Sequence, residues 1–101
     1  MRSVYLIRGN DSNYKIGIAK NPKQRLKQLQ TGNSDKLTLI ETYESEFASK
    51  IESALHHWYG HARSEGEWFD LSIEVELDFV RKCKQINESM RVLTEAGNPF
   101  L

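Results

Sequence analysis

Hydrophobic and polar residues alternate along two short stretches near the start of the chain. Residues 3–8 and 14–19 are rich in β-branched and aromatic side chains, and this combination is typical of β-strands. The polar, glycine-containing stretch 9–13 between them predicts the turn of a hairpin. Residues 36–43 alternate in the same way and predict a third strand. The pattern therefore indicates a small three-stranded antiparallel sheet.

Three further stretches have features of amphipathic helices. Asn21 and Pro22 are favoured at the N-cap and in the first turn of a helix, and they predict a helix that begins at Pro22 and ends near Gln30. Residues 46–59 place apolar side chains three or four positions apart, which predicts a second helix. Residues 73–89 predict a third, C-terminal helix by the same spacing.

The remaining segments determine the expected domain organisation. The aromatic stretch 67–71 predicts an edge strand or an extended piece. A chain of 101 residues is long enough for one domain with a single core. We expect this domain to span residues 1–89 and to have an α/β (α+β) fold, in which helices flank the three-stranded sheet and an additional helix follows at the C-terminus. Residues 90–101 then form a tail, which is either a strap across the domain or a partner-binding end.

The charge of the chain is divided between its two parts, although the total is zero. Residues 1–40 contain eight Lys and Arg and two acids, a net charge of +6, whereas residues 41–101 contain six Lys and Arg and twelve acids, a net charge of −6. A basic region is the electrostatic feature expected of a phosphate-binding surface. A charge imbalance without any partner is about as common, so this feature alone does not decide for a nucleic acid.

The composition excludes several classes of protein. The hydrophobic and charged fractions, 39% and 28%, are those of a globular domain rather than of a disordered or fibrous chain. No apolar run approaches the roughly 18 residues of a membrane span, so we expect no membrane partner. Cys83 is the only cysteine, which leaves no intramolecular disulfide. Because the chain starts without the apolar stretch of a signal peptide, we expect a cytoplasmic protein.

Four residues are candidates for phosphate chemistry, and each has a structural alternative. The guanidinium of Arg25 offers a fork of donors that fits a phosphate, although a helical arginine more often lies over the core. Tyr5 could present its phenol to a substrate or fill the core, and Lys15 could face a ligand or protect a sheet edge. Glu52 could bind Mg²⁺ through its carboxylate or be a solvated helical residue.

Three histidines raise the possibility of a zinc site. His57 and His61 lie four positions apart, but a glycine between them is expected to end the helix and no cysteine lies nearby, so we discount structural zinc. His56 is of more interest, because it lies four positions after Glu52 on the same side of the predicted helix. Glu67 lies in an aromatic segment and is expected to be mostly structural, although its acid could reach the site.

Taken in order, these motifs resemble the GIY-YIG endonuclease superfamily. The resemblance is carried by Val4-Tyr5-Leu6-Ile7, Lys15-Ile16-Gly17, Arg25 and the helix that contains Glu52. It is closer to the phage and bacterial branch that has KIG in place of YIG and ends with a Gly-Glu-Trp-Phe motif, here Gly66-Glu67-Trp68-Phe69. The match covers about residues 3–71 and leaves out the last helix and the tail.

The resemblance implies hydrolysis of DNA phosphodiester bonds with a divalent metal ion, Mg²⁺ or Mn²⁺, as cofactor. Four residues match the functional positions of the family: the first tyrosine (Tyr5), the second tyrosine (Lys15), the helical arginine (Arg25) and the metal-binding glutamate (Glu52). We expect these four to be catalytic, with Glu52 as the metal ligand, and we expect Lys15 or His56 to assist Tyr5 in activating water. In particular, we expect the cation of Lys15 to lower the pKa of the Tyr5 phenol.

The first hypothesis is therefore a metal-dependent DNA endonuclease in a bacterial or phage-infected cell. We expect Lys20, Lys23 and Lys27 to contact the phosphate backbone, and a homodimer is possible. Two alternatives stay open: a catalytically inactive nucleic-acid-binding module on the GIY-YIG scaffold, and a phage protein-interaction factor that binds a host protein. A carboxylate near a phosphate site favours the enzyme, because a binding module has no need of it.

Overall fold

The computed structural model describes residues 1–97, and residues 98–101 lie outside the described part. Within this range the chain forms five strands, three helices and one turn of 3₁₀-helix at Gly60–Ala62. The strands are β1 (Ser3–Arg8), β2 (Asn13–Ala19), β3 (Thr38–Glu44), β4 (Arg63–Glu65) and β5 (Trp68–Asp70). The helices are α1 (Pro22–Thr31), α2 (Ala48–Trp58) and α3 (Val75–Glu95). None of these helices has the length and apolar character that crossing a membrane requires.

The five strands form one antiparallel sheet in the order β3-β1-β2-β5-β4. The central strand β1 pairs with β2 as a hairpin, which places Tyr5 opposite Gly17, and it pairs with β3 on its other side. β5 pairs only with residues 13–15 of β2, and β4 pairs with β5. β2 therefore continues past the end of β5, and this step at the edge of the sheet is where the candidate site lies.

The expected three-stranded sheet is wrong, because β4 and β5 extend it to five strands. The antiparallel arrangement and the α+β class are as expected. β5 lies within the aromatic stretch that predicts an edge strand or an extended piece. β4 consists of three exposed residues, Arg63–Glu65, so it has no hydrophobic alternation that a sequence pattern could detect. Its pairing with β5, rather than burial of its own side chains, places it in the sheet.

The two faces of the sheet carry separate hydrophobic cores. One core packs the sheet against α2 and α3, and its buried members include Val4, Leu6, Ile16, Ile51, Leu55 and Phe79. The other core packs Tyr5 and Ile7 against the partly buried Leu26 and Leu29 of α1. Because neighbouring residues of a strand point to opposite faces, Tyr5 and its cross-strand partner Gly17 both lie on the α1 face.

The first two helices lie where the sequence predicts them. The side chain of Asn21 caps α1 by accepting a hydrogen bond from the backbone N–H of Gln24 at 3.1 Å, and Pro22 occupies the first turn. These contacts fix the start of α1 directly after β2. α2 is slightly shorter than the predicted 46–59, and it buries Ile51 and Leu55 against the sheet.

The third helix is longer than the sequence pattern indicates. α3 continues to Glu95, so residues 90–95 are helical, and the expected boundary between residues 89 and 90 falls inside the helix. After the apolar stripe weakens, Arg91 pairs with Glu88 one turn earlier and with Glu95 one turn later. Ion pairs at these spacings support an exposed helix. The predicted tail is thus helical in its first half, and its residues 98–101 lie outside the described part.

Candidate active site

The phenol of Tyr5 lies over Gly17 on the α1 face of the sheet. A Cβ atom at position 17 would be 2.6 Å from Cζ of Tyr5, which is closer than any side chain tolerates. The missing side chain of Gly17 therefore makes room for the phenol ring. Tyr5 is 1% exposed, so the sheet and α1 hold the ring in a fixed position.

The Tyr5 hydroxyl has the Arg25 guanidinium as its cationic neighbour. Burial raises the pKa of Tyr5, the nearby Arg25 guanidinium opposes this, and the charges of Glu67 and Glu52 raise the pKa further. On balance the pKa of Tyr5 is raised, so the phenol keeps its proton at neutral pH. The expectation that Lys15 lowers the pKa of Tyr5 is wrong, because the neighbouring cation is Arg25 and the ammonium of Lys15 is engaged elsewhere.

Lys15 forms an ion pair with Glu67 at the step between β2 and β5. Its Nζ atom lies 2.9 Å from Oε1 of Glu67, and its side chain is 9% exposed. The same ammonium lies 5.7 Å from the centroid of the Trp68 ring. The backbone carbonyl of Glu67 also accepts a hydrogen bond from Ile16 N–H at 3.3 Å. A buried ammonium needs such a partner, and the pair fixes the Glu67 carboxylate beside the site.

α2 contributes Glu52 and His56, which lie one turn apart and are both half-buried. Nε2 of His56 lies 2.7 Å from the carbonyl oxygen of Ile16 in β2, and the imidazole packs against the Phe69 ring at a centroid distance of 5.2 Å. These contacts hold α2 against the part of β2 that β5 leaves uncovered. As a result, the side of α2 that carries Glu52 faces the carboxylate of Glu67.

Glu52, His56 and Glu67 form a compact group of possible metal ligands. One ligating atom from each residue lies within 4.8 Å of the other two. Burial raises the pKa of Glu52, and the nearby charge of Glu67 raises it further. The two neighbouring carboxylates provide the negative charge that attracts a cation. Two carboxylates and one imidazole are also donors that divalent cations accept in proteins, so the residues fit such an ion.

The three lysines predicted to bind nucleic acid lie on the surface around α1. Lys20, Lys23 and Lys27 are all exposed. Lys20 and Lys23 line an open groove between the start of α1 and β3, and the acids Glu41 and Glu44 line its opposite side. The structure thus places these lysines outside the cluster of Tyr5 and Glu52, and the groove carries charges of both signs.

The structure brings the five predicted catalytic residues close to one another: Tyr5, Lys15, Arg25, Glu52 and His56. It adds Glu67, which sequence reasoning left among the mostly structural residues. The signal for Glu67 was its place in the Gly-Glu-Trp-Phe segment. Its approach to α2 depends on the pairing of β5 with β2, which no local pattern encodes. The other two histidines are exposed and do not belong to the ligand group.

Comparison with known proteins gives one match. The family model of the T5orf172 domain matches residues 2–87, which include every strand and helix up to the middle of α3. No curated protein and no solved structure matches the chain.

Proposed function

We propose that this chain, which belongs to the T5orf172 domain family, is a divalent-metal-dependent endonuclease that hydrolyses phosphodiester bonds in DNA. The family is phage-associated and related to GIY-YIG nuclease-like folds. The proposal includes the finer assignment to the GIY-YIG superfamily, in the branch with KIG in place of YIG and a C-terminal Gly-Glu-Trp-Phe motif.

One observation carries the proposal. Side chains from β1, β2, α1, α2 and the turn before β5 meet in a cluster that contains two cations, two carboxylates, one phenol and one imidazole. Gathering so many titratable groups costs folding free energy, because several of them lose solvent and like charges approach one another. Such clusters with perturbed pKa values are characteristic of functional sites.

Glu52 is the residue that we assign to hold the metal ion. Its carboxylate is half-buried and faces Glu67, and burial, followed by the charge of Glu67, raises its pKa. When bound, a divalent cation supplies Lewis-acid stabilisation of the negative charge on the phosphate and on the leaving oxygen. The protein's own contribution is to hold the carboxylate on the rigid helix α2, directly beside the open edge of β2.

Arg25 stabilises the charge of the phosphate in the transition state. Its guanidinium is exposed on α1, next to the Tyr5 hydroxyl. A guanidinium offers paired donors that match two phosphate oxygens. Arg25 therefore lies where its guanidinium would hold a phosphate close to the Tyr5 hydroxyl.

Tyr5 orients the attacking water. With its pKa raised, the phenol is protonated in the free protein and makes hydrogen bonds rather than taking a proton. Two of the influences that raise this pKa are the charges of Glu67 and Glu52. A cation that neutralised those carboxylates would remove that influence, so that only burial would still raise the pKa of Tyr5 and Arg25 would lower it. The phenol thus becomes a better base when the site is complete.

Lys15 acts through Glu67 in this scheme. Its ammonium is engaged in the ion pair with the Glu67 carboxylate, so it positions that acid rather than the substrate. The exposed lysines 20, 23 and 27 then contact the DNA backbone on either side of Arg25, through charge rather than through sequence-specific contacts.

Nicking of closed circular plasmid DNA tests the proposal, because a circle without ends is cut only by an endonuclease. We expect the wild type to nick in the presence of Mg²⁺ or Mn²⁺ and to be inactive with EDTA. Arg25→Ala should lower the rate by about 100-fold or more, whereas Lys84→Ala, which removes an exposed cation of α3, should not. Salt-sensitive DNA binding without nicking by the wild type would instead favour the binding module.

A further inference from the structure

The ligand group at the end of the sheet contains a nitrogen donor as well as carboxylates, and this bears on which cation it takes. We infer that Glu52, His56 and Glu67 together bind one cation and that this mixed site prefers a first-row transition metal over Mg²⁺. The inference rests on the proposed function for Glu52 and adds two ligands and a metal preference. Its geometric basis is that one ligating atom of each residue lies within 4.8 Å of the others.

The hydrogen bond of His56 to the sheet determines which ring nitrogen is available. Nε2 lies 2.7 Å from the carbonyl oxygen of Ile16, and a carbonyl oxygen only accepts hydrogen bonds. Nε2 therefore carries the proton and donates it, which leaves the lone pair of Nδ1 free. Metal-bound histidines generally donate their second N–H to a carbonyl or carboxylate that fixes the tautomer. The Ile16 carbonyl occupies that position here.

Glu67 is held in place by two contacts that do not need a metal. Its backbone carbonyl accepts from Ile16 N–H at 3.3 Å, and its Oε1 accepts from the Lys15 ammonium at 2.9 Å. The preceding residue, Gly66, has φ 57°, a left-handed conformation that glycine adopts without strain. The tight turn and the ion pair present the Glu67 carboxylate to α2, and a carboxylate has a second oxygen that remains available to a cation.

The mixed donor set favours some cations over others. Mg²⁺ binds oxygen ligands and keeps much of its water shell, typically with one or two carboxylates. Imidazole suits later first-row ions, and Mn²⁺ accepts oxygen ligands while binding nitrogen more strongly than Mg²⁺ does. A site that adds a tautomer-fixed imidazole to two carboxylates therefore gains affinity for Mn²⁺ and heavier ions. It gains little for Mg²⁺.

Electron paramagnetic resonance of Mn²⁺ tests this inference without an activity assay. Titration of the 101-residue protein with Mn²⁺ should show one bound ion, which Mg²⁺ displaces only when present in at least about tenfold excess. Electron spin echo modulation of the bound ion should show coupling to a ¹⁴N nucleus. His56→Ala should remove this coupling and weaken Mn²⁺ binding by about 10-fold or more. His57→Ala, an exposed neighbour in the same helix, should change neither.

The wild-type spectrum decides the question even if the His56 variant does not fold. Bound Mn²⁺ without ¹⁴N coupling, equal affinities for Mn²⁺ and Mg²⁺, or no Mn²⁺ binding at millimolar concentration would each overturn the inference. The plasmid assay separates these results from the proposed function, because a protein that nicks DNA with Mg²⁺ but lacks the coupling is still a nuclease. If the protein shows ¹⁴N coupling but fails to nick DNA, the result would support the metal site and contradict the proposed nuclease activity.

Discussion

The contact between Gly17 and the Tyr5 ring makes a sharp prediction for Gly17→Ala. The added Cβ would lie 2.6 Å from Cζ of Tyr5, about 0.8 Å short of the 3.4 Å at which ordinary contacts begin. Both residues belong to paired central strands, so the ring rather than the backbone has to move. The ring is 1% exposed and has little space into which it can shift.

The expected cost follows from two opposing effects. Overpacking of a dense core costs about 1–3 kcal/mol, and replacing glycine by alanine within a strand returns roughly 0.5–1 kcal/mol of backbone entropy. Because the contact is about 0.8 Å too short, we place the overpacking cost in the upper part of its range, about 2–3 kcal/mol. With an entropy gain near about 1 kcal/mol, we expect Gly17→Ala to lower the free energy of unfolding by about 1–2 kcal/mol. For a domain of this size, that corresponds to a fall in Tm of roughly 5–15 °C.

Urea unfolding followed by far-UV circular dichroism measures this change as a lower midpoint with an unchanged m-value. Gly32→Ala is the matched control, because no heavy atom lies within 4 Å of a Cβ at that position. In the Tyr5→Leu background the ring is gone, so Gly17→Ala should cost at least about 1 kcal/mol less than in the wild type. A Gly17→Ala protein as stable as the wild type would show that the ring does not lie over Gly17.

Three further predictions concern contacts that hold the fold together. Tyr14 is buried and donates to Glu76 of α3 at 2.6 Å, so Tyr14→Phe should lower the free energy of unfolding by about 1.5 kcal/mol in urea unfolding. The same hydrogen bond lowers the pKa of Glu76. The ionised Glu76 carboxylate should therefore stabilise the fold at pH values above the pKa that Glu76 has in the unfolded chain. This stabilisation should be lost as the pH falls through the lower pKa of Glu76 in the folded protein. The difference in the free energy of unfolding between wild type and Glu76→Gln, measured at pH 7 and at pH 3, gives this loss. An equal difference at the two pH values would contradict the prediction. Gln30 accepts from the backbone N–H of Leu37 at 2.7 Å and closes the loop between α1 and β3. Gln30→Ala should lower the thermal midpoint of unfolding, whereas Gln28→Ala, on the exposed side of α1, should not. Equal midpoints for the two variants would contradict the dependence of the loop on Gln30.

Much of the fold was predictable because the relevant signals are local. The alternation in 3–8 and 14–19 identifies the hairpin, and the cap formed by Asn21 locates the start of α1. β4 could not be found in this way, since its three exposed residues carry no periodicity. The end of α3 was missed for a related reason. The last turns of α3 are stabilised by the ion pairs of Arg91 and not by an apolar stripe that a sequence pattern could detect.

Residues of the candidate site were predictable only where they occupy a position of a recognisable sequence motif. Tyr5, Arg25 and Glu52 follow from the resemblance, but their mutual distances depend on how α1 and α2 pack on opposite faces of one sheet. The role of Lys15 illustrates the limit. Its ammonium was expected beside Tyr5, yet it pairs with Glu67, because β5 begins opposite residue 15 of β2 and Glu67 directly precedes it. Pairing between distant strands decides such contacts.

The central claim is that Glu52 supports phosphodiester hydrolysis rather than DNA binding. The most direct test measures the single-turnover nicking rate and the DNA affinity on the same samples of wild type, Glu52→Gln and the control Glu46→Gln, an exposed acid just before α2. We predict that Glu52→Gln lowers the nicking rate by about 100-fold or more while DNA affinity stays close to that of the wild type, and that Glu46→Gln changes neither. Nicking by Glu52→Gln at the wild-type rate would contradict the account.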